Sequence, residues 1–248
     1  MKKIMAIIIA ALLAAVFLTG CVSINFSPMA GTGVTGRGSL ETFTFSVGEI
    51  TEVRVELLCN IIYHSKRSDT VTFEVQPNLM EYITVEETGG ILTVRADRNL
   101  NWTSTANTPV LTVSAPLLTQ LSHTGAGNFT TADPITADSF TLNITGAANG
   151  NAQVYVSDLS VSIAGAGDLV LSGTAENADI SMAGAGRLEA LELQTRVASI
   201  NMAGAGSVRI SCSDELSIAA GGVGTVEYRG SPTLDLTRGG LVNIRQVN

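Results

Sequence analysis

From Leu40 onward, apolar residues alternate with small polar ones in runs of four to six, the pattern of a strand with one face on a core and the other in water. Phe43/Phe45/Val47, Val53/Val55/Leu57, Val71/Phe73/Val75, Ile83/Val85, Leu92/Val94/Ala96 and Leu111/Val113 are such runs. Turn residues bound them: Pro77-Asn78, Gly89-Gly90 and Thr108-Pro109. No amphipathic helical period appears after Cys21.

From Thr141 to Asn248 the alternation becomes a repeat. The chain reads LNITGAANGNAQV, VSIAGAGDLVL, ISMAGAGRLEA, INMAGAGSVRI, LSIAAGGVGTVEY and LDLTRGGLVNI. Their opening residues Leu142, Val161, Ile180, Ile200, Leu216 and Leu234 are 19, 19, 20, 16 and 18 residues apart, a solenoid period. In each unit an inward pair (Val161/Ile163, Ile180/Met182, Ile200/Met202, Leu216/Ile218, Leu234/Leu236) precedes a Gly-rich corner and a second inward pair (Leu169/Leu171, Leu188/Ala190, Val208/Ile210, Val226/Tyr228, Val242/Ile244). The corner glycines Gly125, Gly127, Gly165, Gly167, Gly184, Gly186, Gly204 and Gly206 permit positive φ and close backbone approach. Two corners, Ile144 to Ala152 and Ile218 to Val226, are two residues longer than the rest and are expected to bulge.

These features predict an all-β fold: a parallel β-solenoid (β-helix) with Gly-rich corners, about 19 residues per coil and less regular N-terminal strands. Antiparallel sandwiches and barrels also use short strands and Gly-rich turns, but same-phase apolar stacks at one period favour the solenoid. Outward residues Glu189, Arg209 and Glu227 on successive coils are expected to form a solvated salt ladder.

Ahead of the strands, Lys2 and Lys3 precede a fifteen-residue apolar run, Ile4 to Leu18, short for a membrane span and typical of a secretory signal. It ends in Leu18-Thr19-Gly20-Cys21, which resembles the lipobox of bacterial lipoproteins; that resemblance implies cleavage before Cys21 and a diacylglycerol on its sulfur. The domain reading is 1–20 signal peptide, 21–38 lipidated Cys21 and a Ser/Gly/Thr-rich flexible tether, and 39–248 one domain. Removing Lys2 and Lys3 from 14 basic residues leaves 12 against 22 acidic ones, a net charge near −10. Such a surface repels phosphate backbones, so nucleic acid is not expected as a partner, and the membrane is reached by lipid rather than by charge.

Chemistry-bearing residues are sparse. His64 and His123 are the only histidines, without an HxxxH or Cys/His cluster; both read as surface residues, and no zinc site or Ser-His-Asp triad assembles around them. The GxG corners precede strands rather than helices, so they do not make a phosphate cradle, and they lack the recurring acids of calcium nonapeptides. No catalytic, cofactor or metal residues are assigned. Cys59 and Cys212 could pair in an exported protein, but Cys212 continues an inward alternation and reads as a buried free thiol. The best local binding candidate is the polar stretch DRNLNWTSTANT, with Arg98, Asn101 and the single tryptophan, Trp102, which either stacks on a ligand or covers the end of the core.

Gly36-x-Gly38 with FTFSVGEITEVRV, then VLTVSAPLLTQLSHTGAGNF, the IxxxGAGxLxL units and the terminal LxxGGLVNI together resemble the head GIN domain of adhesin-type bacterial lipoproteins. The corners at Ala219 to Gly224 and Arg238 to Gly240 depart from its GAG pattern. The resemblance implies a β-helical body on the cell surface with no established enzymatic activity; with the lipobox, the reading is an exported, lipid-anchored envelope protein that binds or scaffolds, with a glycan or envelope protein as partner. A carbohydrate-active β-helix enzyme (polysaccharide lyase or hydrolase) and an envelope-stress structural component are the alternatives. The last coil leaves an open strand edge, which is expected to pair with a second copy, forming a homo-oligomer, or with another envelope protein.

Overall fold

The structure is a computed structural model that describes residues 33–102 and 105–248. The signal segment, Cys21 and residues 22–32 lie outside the described residues. Residues 34–248 form one compact unit.

Two short strands, β3 (Glu52–Glu56) and β4 (Asn60–His64), are joined through Leu57, Leu58 and Cys59. One longer strand, β10 (Gln120–Thr131), lies on both of them in parallel. Its first residues pair with β3, Gln120 opposite Glu52, and its last pair with β4, Phe129 opposite Ile61. The start of β11 (Ile135–Arg229) pairs in parallel with β10, from Gln120 opposite Thr141 to Thr130 opposite Asn151. The end of β11 pairs likewise with β12 (Thr233–Gln246), from Glu215 opposite Thr233 to Tyr228 opposite Gln246. The chain therefore returns over itself every 18 to 21 residues.

Inside β11 the glycines show the same return. A side chain on Gly165 would run into the backbone of Gly146, one on Gly184 into Gly165, one on Gly204 into Gly184, and one on Gly222 into Gly204. Each corner thus sits directly against the preceding one. With the corners aligned, Leu121, Leu142, Val161, Ile180, Ile200, Ile218 and Leu236 fall into one inward column, and all but Leu236 are buried. A second column runs Phe129, Gly150, Leu169, Leu188, Val208, Val226 and Ile244. The core lies along these columns, and period-two alternation keeps every winding in phase with the next.

Several expectations need correction. Ile218, not Leu216, continues the column of Ile200, so the interval is 18 rather than 16. The two longer corners do not bulge: Gly150 faces Phe129 in unbroken register and fills the first inward slot of the second arm, while buried Ala220, in the place of Met202, is the last inward residue before Val226, six residues on. At Gly150 the missing side chain makes room for Leu169, whose Cδ1 would stand 2.5 Å from a Cβ there. The corners without GAG keep the ladder as well, with Gly222 and Gly240 in the conserved-geometry slot. Leu234 and Leu236 were expected inside, yet Leu234 is 38 % exposed and Leu236 only half-buried, because among the described residues only β11 packs on their strand.

The sheet is mixed rather than purely parallel. Parallel to β3 lies β7 (Ile91–Ala96), and β6 (Ile83–Thr88) is antiparallel to β7. Parallel to β4 lies β9 (Val110–Ser114), followed by antiparallel β5 (Thr70–Val75) and β2 (Glu41–Ser46). A two-residue turn joins β6 to β7, with Gly89 at φ 61° and Gly90 at φ 86°, and so short a connection closes only an antiparallel pair. Strand β1 (Val34–Thr35) pairs with β8 (Leu100–Asn101), so the folded unit begins at Val34, inside the segment expected to be tether. Pro77-Asn78 opens a one-turn helix, α1 (Pro77–Met80), whose Asn78 side chain accepts from the Arg37 amide (2.8 Å) and donates to the Thr35 carbonyl (2.9 Å).

Candidate functional site

The loop singled out from sequence is tied to the body. Trp102 is half-buried and packs against the core, Asn101 lies in β8 with its carbonyl accepting from the Gly36 amide (2.9 Å), and the Arg98 guanidinium stands 4.5 Å from the Tyr82 ring centre. A cation over an aromatic face at that distance is attractive by about 0.5–1 kcal/mol at an exposed site.

Both histidines have structural partners. His64 Nδ1 lies 3.3 Å from Asp133 at the end of β4. His123, expected at the surface, is only 1 % exposed. It occupies the inward slot opposite Ile144, and its Nε2 donates to the Leu57 carbonyl at 3.3 Å. Burial pushes its pKa below the ordinary 6.5, against the opposing pull of the Leu57 and Ala126 backbone. Below pH 6.5 the unfolded chain binds a proton at this residue that the folded chain resists. The stability held above pH 6.5 is therefore lost as pH falls from that value toward the lowered folded-state pKa. In urea denaturation from pH 8 to pH 5, His123→Gln is expected to flatten this part of the profile; an unchanged slope would contradict it.

Cys59 and Cys212 are both free and buried, as the alternation at Cys212 indicated. Burial raises the Cys59 thiol to about 12, and the Cys212 thiol donates to the Glu215 carbonyl at 3.1 Å. Neither is poised as a nucleophile.

Outward positions, by contrast, build a polar strip that reading the sequence missed. Glu176, Arg196 and Asp214 lie on successive windings: Arg196 Nε is 3.4 Å from Glu176 and its Nη1 is 3.3 Å from Asp214. Glu176 and Arg196 border a groove of about 570 Å³ that Ser157, Thr174, Gln194, Ser211 and Ser213 also line. The Thr195 hydroxyl within it donates to the Ser211 carbonyl (2.7 Å). The Ser213 hydroxyl, 2.6 Å away, and then Arg196 hold the Asp214 carboxyl below its usual range. Tyr155, 41 % exposed, directly precedes the groove residue Val156, and its hydroxyl accepts from Gln153 Nε2 (3.0 Å). The spacings of 20 and 18 residues among the three charges equal the winding period, so they were legible once the windings are aligned.

The expected trio also forms. Arg209 bridges Glu189 (2.7 Å) and Glu227 (2.8 Å), and Arg245 of the last winding extends the ladder on Glu227. Arg245, then Arg209, lower the Glu227 carboxyl. Arg209, Glu227 and Arg245 line a second groove of about 610 Å³ together with Ser207, Thr225 and Asn243. Carboxylates, guanidinium groups and hydroxyls spaced one strand apart can donate to and accept from a ligand carrying many hydroxyls. Among the described residues no group of three or more His, Cys, Asp and Glu is placed to hold a metal, and no helix is long and apolar enough to cross a membrane.

The profile of a family described as "Putative auto-transporter adhesin, head GIN domain" matches residues 49–232. No curated protein matches the chain. Among solved structures, a putative adhesin from Bacteroides fragilis superposes with a TM-score of 0.80 at 24 % identity, covering 87 % of this chain and 100 % of that one. A putative lipid binding protein from Parabacteroides distasonis gives 0.70 at 21 %, covering 87 % and 99 %. A putative adhesin from the same species gives 0.69 at 19 %, covering 87 % and 100 %. At these identities the likeness establishes the fold.

Proposed function

Because the chain belongs to the head GIN domain family, we propose that it is a cell-envelope lipoprotein whose body binds rather than catalyses, acting as an adhesin-like or scaffolding module. In this reading Cys21 carries the lipid and residues 22–33 hold the body away from the membrane. The body itself is a parallel β-solenoid whose N-terminal end is closed by antiparallel strands.

One observation carries the binding assignment: the groove along Glu176 and Arg196 is rich in hydroxyl groups, and exposed Tyr155 directly precedes its lining residue Val156. An aromatic face beside a row of donors and acceptors fits a sugar chain, the ring stacking on Tyr155 and the hydroxyls bonding to the strip. The net charge of −8 disfavours polyanionic ligands and selects for neutral glycans. Arg98, Asn101 and Trp102 are a second contact point in the same reading.

A glycan array combined with a polysaccharide turnover assay tests it. Saturable binding without turnover is expected, weakened about tenfold (about 1.4 kcal/mol) by Arg196→Ala and unchanged by Arg187→Ala, an exposed arginine outside the groove. Turnover of any polysaccharide, or binding indifferent to Arg196→Ala, would overturn it.

A further inference from the structure

The two ends of the stack are finished differently. At the N-terminal end the chain supplies its own covering strands: β6 lies antiparallel on β7 over one arm, and β5 then β2 lie antiparallel beyond β9 over the other. At the C-terminal end, among the described residues, β12 (fourteen residues) pairs only with β11, so its other edge has no backbone partner there. Unpaired strand edges of this length template further pairing.

Three of the six large apolar residues exposed among the described residues, including the two most exposed, lie at that same end. Leu241 is 79 % exposed, Val223 58 % and Leu234 38 %, while Leu236, Val242 and Ile244 are covered only from the β11 side. Leu236 and Ile244 are the final members of the two inward columns, so the core itself runs out into solvent here. Charge at this end differs from that of the rest of the chain. The last winding carries one acid, Asp235, and two bases, Arg238 and Arg245, the second already paired with Glu227. In a chain of net charge −8 it is a face on which two copies meet without mutual repulsion.

We infer that the winding Thr233–Gln246 is the docking surface for a second copy of this chain, packed end to end about a twofold axis. A twofold turns each copy's β12 antiparallel to the other's, the same relation by which β6 covers β7 and β5 covers β9. It continues both arms across the junction and places the uncovered ends of the two apolar columns against their equivalents. Such an isologous contact uses each end once, so assembly stops at two. The inference rests on the fold and on this end alone, independently of the glycan groove.

The full-length lipoprotein, co-expressed in two tagged forms and extracted in detergent, provides the test. Each tag is expected to recover the other copy, and a photoreactive side chain at position 241 to give one covalent adduct of twice the mass, whereas one at Val170, exposed on the side of the body, gives none. Leu241→Asp, or Val223→Asp should the first fail to fold, is expected to reduce recovery at least about tenfold at an unchanged melting temperature. Absence of co-recovery, recovery untouched by a folded Asp variant, an adduct with a different protein, or a ladder beyond two copies would each overturn the inference.

Discussion

Gly184→Ala is expected to lower the unfolding free energy by about 3 kcal/mol or more. Gly184 has φ 132°, a conformation open to glycine and strained by about 1–3 kcal/mol for other residues. Its new methyl would also overlap the carbonyl oxygen of Gly165, and that backbone cannot retreat because it rests against Gly146. Overpacking of this kind adds about 1–3 kcal/mol. Gly221→Ala is the control: its φ is not positive and nothing lies within 4 Å of a Cβ there, so a change within about 0.5 kcal/mol is expected. Urea denaturation followed by circular dichroism reads both, and equal losses at the two sites would contradict the glycine ladder.

Ile180→Ala is expected to cost about 2–5 kcal/mol, the range for deleting a large buried aliphatic side chain. Ile180 is fully buried and lies in one column between Val161 and Ile200, so the cavity is walled by neighbouring windings and does not collapse. Leu234→Ala removes a similar volume from the last winding, where Leu234 is 38 % exposed. There water already reaches the site and the loss should stay below about 1 kcal/mol. The contrast separates a stacked core from a simple alternation of apolar residues: were Ile180 and Leu234 equivalent, the two losses would match.

Much of this fold is legible because its two signals are physically forced. Alternation must keep one parity over the whole repeat, or every apolar side chain would change face. The corners must be glycine, because the backbone of the next winding occupies the space of a side chain. Misreadings arose where a small residue fills an inward slot. Gly150 yields volume to Leu169 and Ala220 stands in the place of Met202, and in the sequence both make a corner look lengthened. The antiparallel pairing of β6 and β7 is encoded too, since Gly89-Gly90 is a two-residue hairpin turn, although in the alternation it marks only a boundary between runs. His123 misled because a polar type sits at an inward position; its place against the Leu57 carbonyl comes from chain more than sixty residues away. Of the candidate sites, the ladder through Arg209 followed from parity alone. The strip through Arg196 required the windings to be aligned first, since the 20- and 18-residue intervals to Glu176 and Asp214 match only the local winding lengths.

The central claim is that successive windings lie on one another, and electron–electron spin distances measure that directly. Nitroxides on outward residues of one column, with Cys59 and Cys212 replaced by alanine, would pair Ser122 in turn with Asn201, Ala219 and Thr237, which lie four, five and six windings away. At about 4.8 Å per winding the separations should be about 19, 24 and 29 Å, rising in equal steps. Distances that fail to grow with the winding count, or that put Ser122 nearer to Thr237 than to Asn201, would contradict the account.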